Sequence, residues 1–245
     1  MTLTKLEVMK RRIWAVELLR LVRDVLGLTY AQLGDLLGQP ATVVSRYYLG
    51  HVVPGLDRAM QYIKILEKKA KDAVVEALDS GGGVTTALFI AHPILRKLWA
   101  YWAAMKLEGT RVNAIVAPAA DGIPLATTLS DIIGAPVLVA KEHKESGVVE
   151  HLVVEVKWLS GYIQSLFIPL SPPFPRKVLK RRNKPWMVVV DDIALTGTTV
   201  RSIARGLMLY GIKVPAILLG VAKEGVLQDI KEDGVDVHSF VVLRD

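Results

Sequence analysis

The run VVVDDIALTGTTV at residues 188–200 constrains this chain more than any other part of it. Consecutive Val residues read as a buried strand, and the strand stops in two adjacent carboxylates, Asp191 and Asp192. Small hydroxyl residues follow at once. Then TTVRSIARGLMLYG at 198–211, amphipathic and closed by a glycine, reads as a helix. A strand feeding a helix through a short loop is the repeating unit of a parallel sheet. In such sheets, ligands bind beyond the carboxyl ends of the strands.

The rest of the second part of the chain obeys the same alternation. VNAIVA at 112–117, PVLVA at 136–140, WMVVV at 186–190 and VPAILLGVA at 214–222 read as strands. IPLATTLSDIIG at 123–134 reads as a helix between the first two. HLVVEVKWL and YIQSLFIPL face each other across Ser160-Gly161 and read as an antiparallel hairpin. Upstream of DSGGGVTT at 79–86 the pattern is helical throughout, with Met9, Ile13, Val16, Leu19 and Val22 at three- and four-residue intervals. The expected division is a small all-helical domain over 1–80 and an α/β domain over 81–245, joined near Gly81.

Composition removes several function classes. The chain has no cysteine, so disulfides, thiolate metal sites and a cysteine nucleophile are excluded. No apolar run approaches the ~20 residues that cross a bilayer. The stretch MTLTKLEVMKRR has neither an uninterrupted apolar core nor a small-residue cleavage site, so no signal peptide and a cytoplasmic location are expected. A formal charge of +7 permits a polyanionic partner, either nucleic acid or a phosphorylated metabolite. The basic run PRKVLKRRNK at 175–184 fits a solvated connection, a DNA-phosphate contact or an extension of the field around a ligand cleft.

Within the first domain, Leu28–Ala59 has the spacing of two short helices around a tight turn. Thr29 caps the first, Gly38 supplies the turn and Pro40 suits the start of the second. The pattern resembles the helix-turn-helix of phage-repressor-like proteins, in which the second helix enters the major groove of double-stranded DNA. On that resemblance Ala41, Thr42, Ser45 and Arg46 are the DNA-facing positions. A helical module that serves only dimerisation has the same pattern.

Two adjacent carboxylates in a crevice can accept hydrogen bonds from a cis-diol such as the ribose 2′- and 3′-hydroxyls. Leu195, Thr196, Gly197, Thr198 and Thr199 open a helix, where backbone amides and threonine hydroxyls suit a phosphate. The segment resembles the signature of type I phosphoribosyltransferases, hydrophobic residues followed by two acids and then Thr-Gly-x-Thr. The resemblance implies that Asp191 and Asp192 hold the ribose of phosphoribosyl pyrophosphate (PRPP) and that 195–199 hold its 5-phosphate. Mg²⁺ would arrive with the pyrophosphate, so no dedicated protein metal cage is expected. APAADGIPLA at 117–126 is similar to the family's pyrophosphate loop, which implicates Ala119, Ala120, Asp121 and Gly122. AKEHKESG at 140–147 falls where orotate-type enzymes carry a mobile catalytic loop, which implicates Lys141 and Lys144 and makes Lys144 the catalytic candidate in an enzyme. Asp121 stands where the enzymes usually present a Lys or Arg, and Ala140 and Ser146 replace an arginine and a histidine. His143 is expected to be solvated.

The fold expectation is therefore a helix-turn-helix domain followed by a type I phosphoribosyltransferase-like parallel sheet flanked by helices. The functional expectation is a homodimeric DNA-binding transcription regulator that senses PRPP and controls nucleotide metabolism, with a nucleobase or nucleotide as a further ligand. The alternative is an active purine or orotate phosphoribosyltransferase.

Overall fold

The computed structural model describes residues 3–80, 89, 92–170 and 185–244. The basic run at 175–184 and the junction near Gly81 lie outside them. The chain divides into two compact units, Met1–Thr85 with His92–Tyr101 and Thr86–Ala91 with Trp102–Asp245. No helix among the described residues is long and apolar enough to cross a membrane.

The first unit contains α1 (Lys5–Leu26), α2 (Tyr30–Leu37), α3 (Ala41–Tyr48) and α4 (Leu56–Ser80). Thr4 with Glu7 and Thr29 with Gln32 form reciprocal caps that start α1 and α2. Gly38, at φ 64°, ends α2 in the left-handed conformation that a β-carbon disfavours. The α2–α3 turn is so tight that a Cβ on Gly34 would meet the Gln39 carbonyl at 2.5 Å. Val16, Leu19, Tyr62, Ile63 and Leu66 are buried in α1 and α4, which pack along each other. The Arg23 guanidinium lies 4.6 Å from the ring centroids of both Tyr30 and Tyr48. Thr42 and Arg46 face outward from α3, whereas the Ser45 hydroxyl donates to the Thr42 carbonyl of its own helix at 3.0 Å.

In the second unit five parallel strands form one sheet in the order β2-β1-β5-β6-β7. They are β1 (Ala114–Pro118), β2 (Val137–Ala140), β5 (Met187–Ala194), β6 (Ile217–Lys223) and β7 (Val237–Leu243). The helices α6 (Ile123–Ile133), α7 (Thr198–Leu209) and α8 (Glu224–Glu232) connect them, and α5 (Pro93–Lys106), which precedes β1 in the chain, is divided between the two units at Tyr101. From β1 the chain winds toward β2, and from β5 it winds the other way to β6 and β7. The β1–β5 border is therefore the topological switch point, where a crevice opens at the strand ends. The alternation read from the sequence ended at residue 222, and α8 and β7 complete the sheet beyond it.

One boundary differs from the sequence reading. The acid pair lies inside β5 and not after it, because β6 runs alongside far enough to pair Asp191 with Leu219 and Ile193 with Val221. Continuous parallel pairing carries the carboxylates into the sheet before the chain turns.

The predicted hairpin is present as β3 (His151–Lys157) and β4 (Ile163–Pro169), antiparallel throughout. It attaches to the end of β2 by two backbone bonds, Lys141 N–H to the Phe167 carbonyl at 3.1 Å and Phe167 N–H to the Lys141 carbonyl at 2.7 Å. Its inner face carries Leu152, Val154 and Val156, all buried. The helix α7 packs on β3 closely enough that a Cβ on Gly206 would lie 2.5 Å from Val154 Cγ2. Gly206→Ala is expected to lower stability by about 1–3 kcal/mol. Adding Val154→Ala should return part of that loss, as a denaturation double-mutant cycle measures. Strictly additive losses would show that the two positions do not compete for space.

Candidate active site

The switch point holds a cavity of about 420 Å³ built from three segments of the second unit and walled on a further side by residues near and on the hairpin. The end of β5 supplies its floor. Asp192 is 3% exposed, and its Oδ1 accepts the Ile193 N–H at 2.8 Å. Its own N–H donates to Asp191 Oδ1 at 3.0 Å. Asp192 Oδ2 is buried without a hydrogen-bond partner among the described residues. Burial raises Asp191 well above the usual carboxylate range, and the Asp192 charge beside it adds to the rise. Burial likewise raises Asp192 against the opposing Ile193 N–H bond, and the Asp121 charge adds a further upward push. The free site thus leaves one buried carboxylate oxygen, Asp192 Oδ2, without the donor its ionised form requires.

The second segment is the loop from β5 into α7. Gly197, at φ 66°, turns the chain into the helix, and a Cβ there would meet Val226 Cγ1 at 2.7 Å. Leu195, Thr196, Gly197, Thr198 and Thr199 all line the cavity. The Thr198 hydroxyl donates to Thr196 Oγ1 at 3.1 Å, so both hydroxyls gather at the helix entrance. The first amides of a helix have no intrahelical acceptor and favour an anion.

The third segment is the loop from β1 into α6. Ala119, Ala120 and Asp121 line the cavity, and the Ala119–Ala120 peptide is cis. Gly122 lies behind them, where a Cβ would stand 3.0 Å from Asp191 Oδ1 and 3.1 Å from the Val190 carbonyl. Glycine at this position lets the loop touch the strand that carries the acids.

Lys141 and Lys144 stand outside the lining. Lys141 Nζ pairs with Glu145 Oε2 at 3.0 Å, and Lys144 Nζ lies 5.7 Å from the Phe167 ring centroid. His143 is exposed, as expected. In their place the hairpin side of the cavity presents Glu142, Trp158, Gln164 and Leu166, which motif reasoning did not single out. The signal for them was faint: period-2 alternation puts Gln164 and Leu166 on one face of β4. Asp121, Glu142, Asp191 and Asp192 are the charged lining residues described, and no Lys, Arg or His joins them. No group of three or more potential ligands able to hold a metal ion occurs among the described residues.

This sheet order, with its acid pair and helix-opening loop at the switch point, is the type I phosphoribosyltransferase fold. No protein-family model matches the chain. Over 150 residues it is 29% identical to a hypoxanthine/guanine phosphoribosyltransferase of Methanopyrus kandleri, a match covering 61% of this chain and 73% of that protein. It is 27% identical over 130 residues to the protein of the same name from Methanosalsum zhilinae, covering 53% of this chain and 62% of that one. Among solved structures, the adenine phosphoribosyltransferase of Leishmania donovani superposes with a TM-score of 0.52 at 12% identity, covering 65% of this chain and 70% of that one.

These relatives overturn the expectation of a DNA-binding transcription regulator that senses PRPP, since both curated relatives carry the names of enzymes. The error has a physical source. Capping residues, a left-handed glycine and a close helix crossing specify how α2 and α3 pack, and they serve any helical module equally well. Nothing in that packing assigns DNA to Ala41, Thr42, Ser45 or Arg46. The Ser45 hydroxyl is already bonded to its own helix.

Proposed function

We propose that the chain is a nucleobase phosphoribosyltransferase that joins the 5-phosphoribosyl group of PRPP to a purine, with its PRPP site in the domain over 81–245. One observation carries this reading: a single cavity gathers the Asp191–Asp192 pair, the helix-opening loop 195–199 and residues 119–121 of the loop after β1. The names of the two curated relatives support a purine as the acceptor.

In this reading Asp191 and Asp192 accept the ribose hydroxyls, which supply the missing donors to Asp192 Oδ2. The amides and hydroxyls of 195–199 hold the 5-phosphate, and Ala119–Gly122 cradle the pyrophosphate. The all-oxygen donor set fits Mg²⁺, a hard cation that keeps most of its waters, and Asp191 and Asp192 would hold it together with the substrate. When bound, Mg²⁺ supplies positive charge for the leaving pyrophosphate, in a cavity whose described charged side chains are all acidic. A base nitrogen bonds to C1′ as the C1′–oxygen bond to pyrophosphate breaks, and the base loses a proton. The acid pair stabilises positive charge developing on the ribosyl group. Lys141 and Lys144 exchange Glu145 and the Phe167 ring for pyrophosphate oxygens, with Lys144 neutralising the leaving group.

The deciding assay is pyrophosphate release and nucleotide formation from PRPP and Mg²⁺ with guanine, hypoxanthine, adenine and orotate. Release with at least one purine is expected. Silence with every base at saturating PRPP would overturn the proposal.

A further inference from the structure

Three side chains on the hairpin side of the cavity are joined in a way that PRPP binding does not explain. The Trp158 indole N–H donates to Gln164 Oε1 at 3.3 Å, and Gln164 Nε2 donates to Glu142 Oε1 at 2.8 Å. All three line the cavity. A free glutamine can offer either end of its amide to a ligand, because rotation exchanges oxygen and nitrogen. Gln164 is denied that freedom. Turned over, it would set its NH₂ against the indole N–H and its oxygen against the Glu142 carboxylate, losing both bonds and adding repulsion. The amide polarity is locked. What this wall still offers a ligand is the second N–H of Gln164 beside the second carboxylate oxygen of Glu142, a donor next to an acceptor.

That corner repels phosphate, since Glu142 would face it with like charge. Leu166 and Ile193 add apolar surface to the same cavity, which suits the faces of a planar ring. A 6-oxopurine presents an oxygen acceptor at C6 next to an N1–H donor, the complement of Gln164 and Glu142. A 6-aminopurine presents the reverse, an amino donor next to an N1 lone pair. It would set its lone pair against the carboxylate and its amino group against the Gln164 N–H.

Building on the transferase reading, we infer that Glu142 and Gln164 read the base and select 6-oxopurines over 6-aminopurines, with Trp158 as the positioning residue that fixes the direction of the reading. The selection is of the kind in which polar groups left unpaired under a bound base reject the wrong substrate.

The test uses the full chain and two readouts. Steady-state kinetics with guanine, hypoxanthine and adenine give base preference and the separate KM values for base and PRPP. Calorimetric titration with GMP and AMP reads the same wall without turnover. The unaltered protein should favour guanine over adenine in kcat/KM by about ten-fold or more, and should bind GMP more tightly than AMP. Glu142→Gln should raise the KM for guanine roughly 10- to 100-fold, well beyond any change in the KM for PRPP, and should weaken GMP more than AMP. Trp158→Phe keeps a ring but removes the indole donor, so Gln164 is oriented by the Glu142 bond alone and the guanine-to-adenine ratio should fall. A merely structural tryptophan would lower all activities together and leave that ratio unchanged, a result that overturns the proposal. So would equal GMP and AMP affinities, or a Glu142→Gln effect confined to the KM for PRPP. A protein that turns over no base but still binds GMP over AMP, with the preference lost in Glu142→Gln, would defeat the transferase reading and leave the base-reading wall standing.

Discussion

Replacing Asp191 and Asp192 together by asparagine is expected to abolish phosphoribosyl transfer, by a thousand-fold or more on the scale of lost transition-state electrostatics, while making the free protein more stable. The two effects have one origin. Burial raises both carboxylates, with the Asp192 charge adding to the rise at Asp191 and the Asp121 charge to that at Asp192, and Asp192 Oδ2 has no partner among the described residues. Asparagine keeps an oxygen for the Ile193 and Asp192 amides but carries no charge to desolvate. A rise in melting temperature of roughly 2–4 °C is the expected scale. The pH dependence carries a definite sign. A carboxyl group whose folded pKa lies above its unfolded value contributes stability that is complete below the ordinary carboxylate range. That contribution is lost as pH rises through the elevated folded value. The free protein should therefore lose stability as pH climbs above the usual carboxylate range, and the double variant should lack that component. Thermal melts across pH, alongside turnover assays, measure both. A destabilised variant with an unchanged pH profile would show that the acids are satisfied structural groups.

Gly220→Ala is expected to have a large structural effect at the site. On β6 its Cβ would stand 2.5 Å from the Asp192 carbonyl and 2.6 Å from Phe89 Cε2. The first neighbour is backbone in the middle of a sheet and cannot swing aside. The variant should lose about 2–4 kcal/mol of stability and most of its activity together, because β5 shifts where it carries the acids. Gly122→Ala offers the contrast. Its nearest neighbours lie at 3.0 and 3.1 Å, and the first is the Asp191 carboxylate. That variant should keep nearly all its stability and show its damage as a raised KM for PRPP. Chemical denaturation and kinetics on the two variants separate these outcomes, and a Gly220→Ala protein of undiminished stability would refute the packing argument.

What the sequence disclosed follows from how local each feature is. Asp191, Asp192 and Leu195–Thr199 are neighbours in the chain, so one strand, one turn and one helix start suffice to bring them together. The loop at Ala119–Gly122 was legible for the same reason. Glu142, Trp158 and Gln164 were not, because their meeting depends on the pairing of Lys141 with Phe167 and on the register of β3 with β4. Periodicity reports which face a residue occupies and says nothing of what lies opposite. The helical unit shows the converse. Thr29, Gly38 and Pro40 announced the α2–α3 turn clearly, yet turn chemistry is silent about what the outward face touches.

The attachment of the hairpin has a consequence for how this site can change over time. The bonds that tie β4 to the end of β2 are made by main-chain atoms of Lys141 and Phe167, so they survive substitution of the side chains around them. The wall that carries Glu142, Trp158 and Gln164 can therefore drift in sequence while keeping its place beside the acid pair. In the proposed transferase, the positions assigned to the base thus lie on different elements from the β5 end and helix start assigned to the sugar phosphate.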